Sequence, residues 1–140
     1  VNALRARVES IHSDEYFSVV LIRIKEVGLK LLKTEIPRWL EVGDEVECRI
    51  QEASVAICKG THGGEVSIEN HIEAEVNAFR KGDVLSEVTL DTPCGKVVSL
   101  ITTEAMERMH IEKGSGVTML LKAVDIKLMP TLATSGIVSK

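Results

Sequence analysis

The side chains best suited to chemistry are thinly spread in this sequence. The four histidines, His12, His62, His71 and His110, are scattered, and His62 alone among glycines reads as a solvated loop residue rather than a metal ligand. Cys48, Cys58 and Cys94 are odd in number, and no pair has the two-residue gap of a zinc or redox motif, so they read as free thiols of a reducing compartment. Three glycines crowd into KGTHGG, residues 59–64, but without the spacing and the following Lys-Ser/Thr of a phosphate loop. No nucleophile stands at a supportable spacing from a base, which argues against an enzyme. Taken singly, Lys122 reads as a charge on a strand edge, and Ser67 and Thr102 read as turn and helix-cap residues.

The elements that must position these residues are mostly strands. Residues 16–24, YFSVVLIRI, are dense in β-branched and aromatic types. Strands also read at 27–33, 41–50 and 54–57, with turn signals at the spacing of a small barrel or sandwich. Pro37 belongs in a connection, with Trp39 packing beside it. After KGTHGG the strand rhythm resumes at Ile72, Ala74 and Val76, then at 84–90, 96–101, 117–122 and 124–128. TEAMERM, 103–109, reads as the one helix, with Glu104 in its first turn and Thr102 or Thr103 as cap. The last stretch, 130–140, reads as a tail.

The chain has 140 residues, 44% hydrophobic, enough for one ordinary domain or two small ones sharing a core. A net charge of −4 and only 3% aromatic residues argue against a nucleic-acid binder, which needs a basic face and stacking platforms. No run approaches the roughly 18 apolar residues of a membrane span, and no signal peptide is visible. Val1 stands in place of Met, which allows a fragment of a longer protein.

One phrase is written twice. Asn-x-apolar-x-Ala-x-Val occurs in residues 2–8 and again in 70–76, an offset of 68. LEVGDEV, 40–46, then matches IEKGSGV, 111–117, at an offset of 71, placing Gly43 on Gly114 and Val46 on Val117. Downstream, Ile50, Val55 and Ile57 meet Leu121, Ile126 and Leu128. A period near 70 is too long for a solenoid and fits two tandem barrels. The expected fold is all-β with one short helix, as two tandem OB-like five-stranded barrels. The first spans 1–59 and the second 67–129, with a glycine-rich linker at 60–66 and the tail after 129. Barrel closure would remove exposed strand edges.

The second unit resembles a Mop, or molbindin, domain, also grouped as TOBE. The resemblance lies in Ser67-Ile68-Glu69-Asn70, Ile101-Thr102-Thr103-Glu104-Ala105, Ile111-Glu112-Lys113-Gly114 and Leu121-Lys122-Ala123. The first half is similar more loosely, through VGDEVECRIQEASVAI, 42–57. The succession looks like the C-terminal regulatory region of the ATPase subunit of molybdate ABC importers, with the nucleotide-binding domain upstream of Val1. The resemblance implies that molybdate or tungstate binds between barrels, usually across a dimer interface, and that no metal cofactor is needed. Such a ligand is a tetrahedral dianion with acceptor oxygens only, so it needs donors and cations.

By the resemblance, the Ser67 and Thr102 hydroxyls and the Lys122 ammonium supply these, with backbone N–H groups near Glu69, Asn70 and Ala123. Glu69 stands where the family has Arg, Ala105 where it often has a hydroxyl, and Gln51 followed by Glu52 takes the place of Lys122 in the first repeat. The principal site is therefore expected in the second unit, with His71 beside it as a group able to sense pH. The expected protein is a cytoplasmic homodimer that regulates transporter membrane subunits through its parent, with neither direct nucleic-acid binding nor membrane insertion. The alternatives are a free molbindin-type molybdate store, the effector half of a molybdate-responsive repressor, and a ligand-free dimerisation domain.

Overall fold

A computed structural model describes residues 1–60 and 66–134. In the first repeat, β1 (Asn2–Ser13), β2 (Ser18–Ile24) and β3 (Val27–Lys33) form a meander. They are followed by β4 (Glu45–Ile50), a 3-10 turn at Glu52–Ser54 and β5 (Ala56–Lys59). The second repeat runs in the same order through β6 (Asn70–Lys81), β7 (Leu85–Thr92) and β8 (Gly95–Thr102). It continues with α1 (Thr103–Arg108), β9 (Gly116–Leu121), a 3-10 turn at Ala123–Asp125 and β10 (Ile126–Pro130). Strand burial alternates, as in β2, where Val20, Ile22 and Ile24 are buried and Val19 and Arg23 are exposed. The inward residues of both repeats join one core, in which Val8, Val20, Ile22, Leu31, Val46 and Ile50 meet Val76, Val88, Leu90, Val97, Met119 and Leu121.

The repeat read from sequence extends to backbone detail. The β1–β2 ladder slips between Val8 and Ser10, and the β6–β7 ladder slips between Val76 and Ala78. At each bulge a glycine with positive φ docks on the strand. Gly43 (φ 93°) donates to Val8 O at 2.7 Å, and Gly114 (φ 89°) donates to Val76 O at 2.8 Å. These two positions need glycine because other residues resist that backbone region.

Two features were not in the expected division of the chain. The antiparallel sheets run β10-β4-β1-β2-β3 and β5-β9-β6-β7-β8. Each sheet therefore takes four strands from one repeat and its fifth from the other. The exchange follows the 3-10 turns, where Glu52–Ser54 packs on β8 and Ala123–Asp125 on β3, sending the chain into the neighbouring sheet. The segment read as a tail is also partly bound. Pro130 ends an edge strand, where its missing N–H is harmless, and the fully buried Thr134 hydroxyl donates to Glu45 O at 2.8 Å.

The slippage between the two offsets has a structural cause. Thr34 and Thr102 match at 68, and Leu40 and Ile111 match at 71. Between them the second repeat holds α1 while the first holds only residues 35–39, turned by a bond from Leu40 N to Pro37 O. Pro37 drives Ile36 away from helical backbone, so the shorter connection stays a turn. Leu40 and Ile111 are buried alike and both belong to the core.

Candidate functional site

Register brings the sequence-expected residues of the second unit together only in part. Asn70 pairs with Leu121 in the β6–β9 ladder, so residues 67–69 and Lys122 leave adjacent strands side by side. Ser67, Glu69 and Lys122 are exposed there, and Ala123 is buried. The Glu69 carboxylate accepts the Ala123 N–H at 2.9 Å. His71 Nε2 lies 2.6 Å from Ile68 O, so that ring nitrogen carries the proton and tethers the segment.

The Asn70 side chain is occupied with structure. It is buried, its Oδ1 accepts Lys30 N–H at 2.8 Å, and its Nδ2 donates to Lys30 O at 2.9 Å and Leu121 O at 3.1 Å. That clamp fixes β3 of the first repeat against the site and brings in Lys30, which sequence reasoning did not select. The Glu69 carboxyl is held below its ordinary value first by the Ala123 N–H and its own backbone N–H, then by the charges of Lys122 and Lys30. Lys33 on the same strand donates to Ile126 O at 3.3 Å. Burial and the neighbouring Lys127 ammonium lower its pKa. Cations from both repeats thus converge around the turn at Ala123–Asp125.

Thr102 lies elsewhere. It pairs with Leu85, at the end of the second sheet where β6 finishes at Lys81, whereas the Lys122 group sits where β6 begins at Asn70. Its Oγ1 caps α1 by accepting Ala105 N–H at 3.1 Å. Within one chain, then, Ser67, Glu69, Lys122 and Ala123 form a group, Asn70 anchors it from below, and Thr102 stands apart.

The matching junction of the first repeat has the same clamp and a different charge. Asn2 Oδ1 accepts Val98 N–H at 2.8 Å and Nδ2 donates to Val98 O at 2.9 Å. Val98 thus holds the place of Lys30, 68 residues on, and Gln51 holds that of Lys122. A cleft of about 350 Å3 lies there, lined by Gln51, Glu52, Ala53, Glu87 and Leu100. Its charged side chains are carboxylates, a poor setting for an anion. The residue facing each repeated asparagine is Lys30 in one junction and Val98 in the other, a pairing that only the placement of the strands reveals.

His62 falls within residues 61–65, outside the described residues, as does most of the glycine-rich linker. Among the described residues no group of three or more His, Cys, Asp or Glu side chains is placed to hold a metal ion.

Comparison with known proteins bears on the family and the fold. The TOBE domain model matches residues 66–128. Molybdenum-pterin-binding protein 3 of Clostridium pasteurianum is 31% identical over 65 residues, which are 46% of this chain and 96% of that protein. Molybdenum-pterin-binding protein 2 of the same organism is 28% identical over the same shares. The crystal structure of the cytoplasmic molybdate-binding protein ModG, with molybdate bound, superposes with a TM-score of 0.85. It covers 93% of this chain and 96% of that one at 24% identity, a likeness of fold spanning both repeats.

Proposed function

The chain belongs to the family of the molybdenum-pterin-binding proteins, and from that premise we propose that it is a molbindin-type protein binding molybdate or tungstate at the junction around Lys122. The observation that carries this reading is that the junction already holds an anion, the carboxylate of Glu69, on the Ala123 N–H beside Lys122 and Lys30. Backbone donors and ammonium groups are what a tetrahedral dianion requires. The Ser67 hydroxyl adds a donor at the mouth. A site closed around such a ligand separates molybdate from sulfate by size, since the two share charge and shape.

A Thr102 hydroxyl reaches this site only from a second copy of the chain, so the complete pocket lies between subunits of a homodimer or larger oligomer. The relatives named above are described as binding proteins. This favours a cytoplasmic binding or storage protein over the regulatory region of a transporter ATPase, and a transporter partner has no observation of its own in support.

Calorimetric titration of the protein with molybdate, tungstate and sulfate at low salt tests the reading. Micromolar or tighter binding of molybdate or tungstate with sulfate ignored is the expected result. No heat with any of the three on a folded protein overturns it and leaves a scaffold kept for assembly.

A further inference from the structure

We propose that Glu69 is the residue that sets anion affinity and selectivity in this protein, acting as an internal carboxylate that an incoming oxyanion must displace. The inference rests on the oxyanion-binding reading and gives it a determinant. The carboxylate oxygen lies 2.9 Å from the Ala123 nitrogen, on the donor a bound anion would use, with Lys122 and Lys30 flanking it. A dianion such as molybdate has no proton with which to bridge to a carboxylate. The two cannot share the Ala123 N–H, and like charges a few Å apart oppose one another.

Glu69 is free to leave. It is exposed, and the neighbouring Asn70 clamp holds the backbone in place whatever the carboxylate does. Displacement therefore costs one hydrogen bond and part of the attraction of two nearby ammonium groups without unfolding the junction. The rotated carboxylate still stands at the rim and repels further anions. The protein then responds to molybdate at a higher concentration than the same junction would without Glu69, and weak competitors are held out.

The test is calorimetry with molybdate on the wild-type chain, Glu69→Gln and Glu69→Ala. It is paired with the amide resonance of Ala123 in nitrogen–proton correlation spectra. Glu69→Gln keeps an acceptor for Ala123 N–H and removes the charge, and Glu69→Ala removes both. Affinity is expected to rise about tenfold in Glu69→Gln and further in Glu69→Ala, as one lost charge repulsion at short range implies. The Ala123 amide should move on molybdate addition in all three proteins. Equal affinities, or weaker binding in the variants, overturn the role of Glu69 and leave the oxyanion reading standing. Absence of binding in all three, with dispersed spectra, overturns both together.

Discussion

Asn2 and Asn70 stand 68 residues apart and make the same two-bonded clamp, each on the edge strand of the other repeat. Each side-chain amide pairs with one residue's N–H and C=O, as a neighbouring strand would. Edge strands β3 and β8 are thereby tied across the two sheets. The recurring asparagine is thus a structural signature, and only one of the two clamps delivers a lysine to its junction.

Removing the Asn70 clamp leaves part-buried backbone groups of Lys30 and the buried Leu121 carbonyl without these partners. Asn70→Ala is expected to cost about 2–4 kcal/mol in urea unfolding, with Asn2→Ala somewhat less because it makes fewer such bonds. A loss under about 0.5 kcal/mol would mean that water replaces the clamp at no cost.

Lys30 is expected to matter for binding and little for stability. Lys30→Met keeps the aliphatic stem and removes the charge. Molybdate affinity should fall about tenfold, equivalent to about 1.4 kcal/mol, with the melting curve nearly unchanged. Val98→Ala, the matching position of the first repeat, should leave affinity as it is. Equal effects at the two positions would mean that the junctions do not differ in the way their charges indicate.

How much of this was legible in the sequence depends on the range of the interaction. Strand identity came from alternation, as at Val46, Cys48 and Ile50, because burial on one face writes itself into period two. The duplication came from Asn2 and Asn70, Gly43 and Gly114, because the bulge and the clamp each demand one residue type. The exchange of β5 and β10 left no mark, since the short apolar run Ala56–Cys58 reads as strand whichever sheet receives it. Lys30 was missed because its role follows from a contact 40 residues away, and Thr134 because one buried hydroxyl does not change the polar character of its segment.

Thr102 separates a capping role from a binding role. Thr102→Ala should cost about 1 kcal/mol of stability through the lost cap on α1. If the site is completed by a second chain, molybdate affinity should fall as well. Mixing Thr102→Ala with Lys122→Ala protein should then restore a fraction of tight sites, because a mixed pair of chains leaves one junction with both native residues. Restoration absent from a mixture that has exchanged subunits would confine Thr102 to its cap.

Alkaline stability should report on Cys48. The thiol is fully buried on β4 between β1 and β10, and burial, followed by the nearby Cys94, pushes its pKa up to about 12 from 9.0. The folded state holds the proton more tightly than the unfolded chain. This contribution is therefore fully present below pH 9 and is lost as pH rises from 9 towards 12. A shift of that size corresponds to a few kcal/mol at most. Unfolding free energy should fall steeply over that interval in the wild-type chain. In Cys48→Ala the fall should be shallower, with a residual slope from Cys94, whose pKa burial also raises. At pH 7 the same variant should lose only about 1 kcal/mol, for one deleted sulfur in a packed core. Parallel slopes in the two proteins between pH 9 and 11 would mean that the folded state opens around Cys48 before its thiol ionises.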